Sequence, residues 1–131
     1  MDFVSTRIIT ADIRRLVGFY ERATGLTATW YGEDFAELAT PSGTLAIGSE
    51  RTVALFGVGS ARSAANHSAI IEFRVADVDR EYERLADGVE VVQPPTTMPW
   101  GNRSLLFRDP DGTLVNFFTP VSADAIRKFS R

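Results

Sequence analysis

Few side chains in this chain can do chemistry. Its 131 residues include no cysteine and one histidine, His67. Thiolate ligands, disulfides and a cysteine nucleophile are therefore absent, and one imidazole is too few for the usual multi-histidine metal site. No histidine pairs with a serine on a nucleophile elbow, since neither "GSE" nor "GVGS" has that form. "GVGSARSAAN" has glycines but not the spacing of a phosphate loop. Asp109 and Asp111 suggest a calcium loop, but its twelfth position falls on Pro120, which has no carboxylate to give. What remains is a set of polar side chains set in apolar, strand-like runs: Arg7 in "VSTRIIT", Glu72 in "IIEFR", Arg103 in "GNRSLL" and Asn116 in "LVNFF". Long charged residues facing inward there require an explanation, because an unpaired buried charge costs several kcal/mol. Trp30 and Trp100 offer flat faces to a planar ligand.

The elements that position these residues follow from periodicity and punctuation. Residues 3–10 are rich in Val, Ile and Thr and predict a strand. Asp12 caps a helix with Ile13, Leu16, Val17, Tyr20 and Ala23 at helical spacing and Gly25 as its stop. Strands are expected at about 26–32, 34–39 and 44–49, with a further apolar strand at 52–56, and 57–67 reads as a linker. The pattern then restarts: a strand at 68–75, a helix capped by Asp77 and running through Leu85, and a strand at 89–93 that Pro94 and Pro95 end. A closing hairpin and a short helix capped by Ser122 complete the chain.

The halves match in residues as well as order. "TADIRR" (10–15) aligns with "VADVDR" (75–80), and "TPSGTLAI" (40–47) with "DPDGTLVN" (109–116). In "TPSG" and "DPDG", proline presets φ at the second turn position and glycine closes the turn, so both predict hairpins. Each half thus predicts a strand, a helix and three strands. The expected fold class is α+β, with two paired βαβββ modules forming a half-open barrel around a groove. Residues 1–131 would form a single domain: module 1 at about 1–56, linker 57–67, module 2 at about 68–119, and a C-terminal helix at 122–131.

These residues resemble a known family. "PWGNRSLLFRDPDGTLVNFF" is similar to the closing segment, and "ADIRRLVGFYERATGL" to the first helix, of the vicinal oxygen chelate superfamily, which includes glyoxalase, bleomycin-resistance protein and extradiol dioxygenase. The resemblance runs from about residue 3 to 119. It implies paired βαβββ modules, often in homodimers, with a ligand or divalent metal in the concave groove. Fold alone does not choose between enzyme and binder.

The resemblance also implies where a metal would be held. The first ligand of each module stands seven residues before the helix-capping Asp, giving Ser5 and Ile70, and the closing ligand falls at Asn116. The repeat alignment makes Ile47 its partner in the first module. Isoleucine has no lone pair, and Ser and Asn are neutral oxygen donors, poor ligands for Zn²⁺, Fe²⁺ or Ni²⁺. The expectation is therefore no metal and no cofactor, with a divalent metal as the disfavoured alternative.

Strand parity then places Ser5 and Arg7 in the groove, with Ile70, Glu72 and Arg74, and with Leu114, Asn116 and Phe118. The expected ligand-binding set is Ser5, Arg7, Trp30, Ile47, Ile70, Glu72, Trp100, Arg103, Asn116 and Phe118. Arg7 and Glu72 either pair with charged neighbours or bind an anionic and a cationic ligand group. The reading that follows is a metal-independent binder of the bleomycin-resistance type, sequestering a planar, partly apolar molecule. The alternatives are a glyoxalase-like lyase or isomerase, or a dioxygenase-related enzyme, with Glu72 as a weak candidate for general base, or an accessory module.

Composition agrees with a globular chain: 44% of residues are hydrophobic and 24% charged. A net charge of −3 argues against nucleic acid as a partner. No apolar run approaches the roughly 20 residues that span a bilayer, and "MDFVSTRIIT" lacks the form of a signal peptide. With no cysteine, a cytoplasmic location is expected, and the resemblance implies a homodimer that binds a small molecule.

Overall fold

The computed structural model of the chain describes residues 1–130. The protein is α+β, with two compact units, Met1–Asn66 and His67–Arg131, each built on a four-stranded mixed sheet.

The first unit runs β1 (Ser5–Thr10), α1 (Ile13–Thr24), β2 (Thr29–Trp30), β3 (Phe35–Thr40), β4 (Gly43–Ser49) and α2 (Glu50–Val53). Its strands lie in the order β1-β4-β3-β2, with β1 parallel to β4 and the other pairs antiparallel. Asp12 accepts the Arg15 amide at 3.1 Å and starts α1, and Gly25, at φ +75°, ends it in the left-handed conformation. The apolar stripe of α1, led by Leu16, Val17 and Tyr20, is fully buried, as are Ala36, Leu38 and Ile47 on the sheet. Burying each large side chain of this set stabilises the unit by roughly 1.5–3 kcal/mol.

The second unit repeats the scheme with β5 (Ile70–Arg74), α3 (Val78–Leu85), β6 (Glu90–Thr97), β7 (Asn102–Arg108), β8 (Leu114–Pro120) and α4 (Ala123–Phe129), and a turn of 3₁₀ helix at Ala86–Gly88. The order is β5-β8-β7-β6, with β5 parallel to β8. Asp77 caps α3 as Asp12 caps α1. The core centres on Phe117, whose ring meets Phe107 and Phe73 edge-on at 5.0 and 5.7 Å.

Three sequence expectations need correction. The run at 52–56 is not a strand. Ser49, in extended backbone, leads into the helical turn α2, the Thr52 hydroxyl donates to the Ser49 carbonyl, and Thr52 and Val53 are buried while Leu55 and Phe56 are exposed. Local hydroxyl–backbone bonding there overrides β-propensity. The strand expected at 26–32 shrinks to Thr29–Trp30. Pro94 and Pro95 do not end β6, which continues to Thr97, because β6 is an edge strand whose register shifts between Val91 and Gln93 and again between Gln93 and Thr96. At an edge with irregular pairing a proline forfeits no ladder hydrogen bond.

Candidate functional site

Each sheet has one face under its long helix and one face free of it, and register decides which side chains share a face. In the first unit Ile8, Ile47 and Ala36 lie opposite one another, as do Leu45 and Leu38, and this set, buried except for the half-buried Ile8, faces α1. The other face carries Ser5, Arg7, Ile9, Ala46, Gly48 and Phe35. There the Arg7 guanidinium lies over the Phe35 ring at 4.6 Å and the Phe56 ring at 5.0 Å. Such stacking satisfies the cation on a partly wet surface without an anion. α2 crosses the same face. A Cβ at Gly48 would stand 2.8 Å from the Thr52 hydroxyl, so glycine is what admits the helix so closely.

In the second unit the α3 face carries Phe73, Val115, Phe117, Thr119, Leu105 and Phe107. Thr119 marks it, since its hydroxyl accepts the Val78 amide at the start of α3. The opposite face carries Ile70, Glu72 and Arg74 on β5, Leu114, Asn116 and Phe118 on β8, and Ser104 and Leu106 on β7. At its centre Asn116 Nδ2 donates to Glu72 Oε2 at 2.8 Å. Asn116 is buried, and its Oδ1 has no hydrogen-bond partner. Glu72 and Ile70 are exposed. α4 covers the Phe118 end: Phe129 packs on Phe118 with ring centroids 5.1 Å apart, and Arg74 donates to the Phe129 carbonyl at 2.5 Å.

Ile47 does not join Ser5 and Arg7, contrary to the repeat alignment. It lies on the α1 side, fully buried, and Ala46, opposite Arg7, is the counterpart of Asn116, opposite Glu72. The cause is turn length. The first hairpin pairs Thr40 with Gly43, so its "TPSG" turns tightly, whereas the second pairs Arg108 with Leu114 and bonds the Asp109 amide to the Thr113 carbonyl. One residue more in the second turn reverses every side chain that follows, because strand side chains alternate. Arg103 is also on the helix side, held by Asp79 of α3 at 2.9 Å. Trp30, opposite Ala36, sits on the α1 side of its sheet. Trp100 is exposed in the turn before β7, where the Gly101 amide bonds back to the Met98 carbonyl. His67 is exposed in the chain leading to β5.

Phe35 and Phe56, the partners of Arg7, escaped sequence reasoning. Phe35 alternates with the buried Ala36, a legible signal once the register is known, but Phe56 lies beyond the strands and no period points to it.

The donor set does not fit the divalent ion that the resemblance implies. Ser5 and Asn116 are neutral oxygen donors, and Ile70 and Ala46, like Ile47, are hydrocarbon. Among the described residues no group of three or more His, Cys, Asp or Glu is placed to hold a metal. The shifted acids lie away from the Glu72–Asn116 pair. Asp79 is held below the ordinary carboxylate range by hydrogen bonding to Arg103, and Asp34 by hydrogen bonds from Arg51 and Ser49.

Known proteins share this fold. The family profile described as Glyoxalase/Bleomycin resistance protein/Dioxygenase superfamily matches residues 2–117. The uncharacterised protein YraH of Bacillus subtilis (strain 168) is 28% identical over 126 residues, spanning 90% of this chain and 98% of its own. A crystal structure of a protein of unknown function from Agrobacterium tumefaciens str. C58 superposes with a TM-score of 0.78 at 28% identity, covering 91% of this chain and 94% of that one. A glyoxalase/bleomycin resistance protein/dioxygenase family enzyme from Burkholderia phytofirmans PsJN gives a TM-score of 0.80 at 18% identity, covering 92% of this chain and 100% of that one, a likeness of fold alone. With two βαβββ units in tandem and a family match over most of its length, this chain belongs to the glyoxalase/bleomycin resistance protein/dioxygenase superfamily.

Proposed function

We propose that this protein is a metal-independent binder of a small, planar, partly apolar molecule, sequestering it in the manner of the bleomycin-resistance branch and working as a cytoplasmic homodimer. One observation carries the reading: the family fold is intact, yet the positions that would hold an ion carry Ser5, Ala46, Ile70 and Asn116. A side chain without a lone pair contributes nothing to coordination, and two of the four are of that kind. The face of the second sheet away from α3 suits a ligand instead, with Ile70, Leu114 and Leu106 as apolar walls around the polar pair Glu72–Asn116. An apolar surface with a few directed polar groups is the usual chemistry of a small-molecule site. The exposed Phe3, Leu55, Phe56 and Val58 of the first unit favour a second copy, since exposed large apolar side chains mark protein–protein contact surfaces.

The test is a thermal-shift panel of aromatic antibiotics and planar metabolites, combined with elemental analysis. A ligand at 100 times its Kd stabilises the native state by about 2.7 kcal/mol, a rise of several degrees in Tm. At least one planar compound is expected to give that rise with no metal added. One tightly held transition-metal ion per chain in the purified protein would overturn the proposal.

A further inference from the structure

We infer that the second unit's sheet face selects a ligand head bearing two adjacent N–H donors, such as an amidinium or guanidinium; this rests on the small-molecule reading above and names its ligand class. Glu72 and Asn116 are register neighbours on the parallel strands β5 and β8. A carboxylate only accepts hydrogen bonds, so the 2.8 Å contact fixes the Asn116 amide with its NH₂ toward Glu72. Its Oδ1 is thereby left without a partner in a side chain only 8% exposed. Buried acceptors are satisfied in nearly all native structures, and one that is not points to a group that arrives later.

The exposed Glu72 carboxylate supplies further acceptor oxygen and a negative charge beside it. The complement of two acceptors carried side by side on neighbouring strands is a flat cation whose N–H groups diverge from one carbon. Its faces and substituents can rest on Ile70, which is 48% exposed, and on Leu114. The nearest cation on β5, Arg74, is directed to α4 by the Phe129 carbonyl and ring, so it does not occupy the Glu72 carboxylate. An anionic head would meet two acceptors and a like charge.

Benzamidine is the probe, with benzoate and benzyl alcohol of similar shape as controls, read by the side-chain amide resonances of Asn116 in ¹⁵N-labelled full-length protein. Benzamidine is expected to shift those resonances saturably and benzoate to leave them in place. Glu72→Gln, a surface change that spares the core, is expected to weaken benzamidine at least tenfold, and Asn116→Leu to weaken it similarly if its melting curve remains cooperative. Unmoved resonances under benzamidine, or equal binding of benzoate, overturn the inference. If neutral or anionic planar compounds raise Tm while amidines do nothing, the donor-head inference fails and small-molecule binding stands. If no compound of any class binds, both fail.

Discussion

Arg7 and Arg103 show how two arginines in apolar strands reach opposite outcomes. Arg7 stacks on Phe35 and Phe56, on the face away from α1, whereas Arg103 reaches across the helix face to Asp79. The Arg103 guanidinium engages Asp79 through Nε and Nη2, at 2.9 and 3.0 Å, so the pair joins α3 to β7 and is not available to a ligand. Hydrogen bonding to that guanidinium lowers the Asp79 pKa from its ordinary 3.8. With the folded value below the unfolded one, the pair stabilises the fold above about pH 4, and its contribution fades as the pH falls through the lowered value. In Arg103→Ala the Asp79 carboxyl should titrate at a higher pH than in the parent protein, observable in a carboxyl-carbon NMR titration. Solvent exposure of both partners keeps the accompanying loss of stability at neutral pH small. The charge in Arg103 was legible in the sequence, but its direction was not, since parity argues only once the register is known.

At the scale of elements, α4 depends on a glycine outside it. Gly101 adopts φ +93°, and its carbonyl accepts the amides of Val121 and Ser122 as the chain enters the helix. A Cβ there would run into the Ser122 side chain and stand 3.3 Å from Ala125. Gly101→Ala is expected to cost about 1–3 kcal/mol through left-handed strain and the clash together. The readout is urea unfolding, together with amide exchange in 123–129 that quickens more than exchange in β8. The caps Asp12, Asp77 and Ser122, the stop at Gly25 and the turn "DPDG" are short-range devices whose partners lie within a few residues, so the sequence displays them openly. The strand at 52–56 failed for the opposite reason. Its β-branched residues satisfy a strand template, but Ser49 and Thr52 bond locally and Gly48 opens the space for a helical turn.

For the whole molecule, the tandem repeat is the governing fact. Both units have the same strand order and the same parallel first pair, and both open their helices with an Asp cap. The proposed homodimer predicts a light-scattering mass of twice the 14.4 kDa chain at micromolar concentration. Leu55→Glu and Phe56→Glu together, both in exposed positions outside the strands, should halve that mass without lowering helix content. A chain of monomeric mass before mutation would remove the dimer from the proposal and leave the ligand reading to the thermal-shift panel.

The amino-acid sequence by itself determined the repeat, the caps, the turns, the α+β class and the shortage of metal-binding side chains, because each depends on residue type or on neighbours close along the chain. Only the tertiary structure decided which side chains share a face. One residue of difference between two hairpin turns sends Ile47 under α1 and leaves Ala46 opposite Arg7. A salt bridge to a helix takes Arg103 out of reach, and an amide–carboxylate contact leaves the Asn116 Oδ1 buried without a partner. Side chains on a strand alternate with a period of two, so facing depends on a register set by distant pairing, which no local pattern contains.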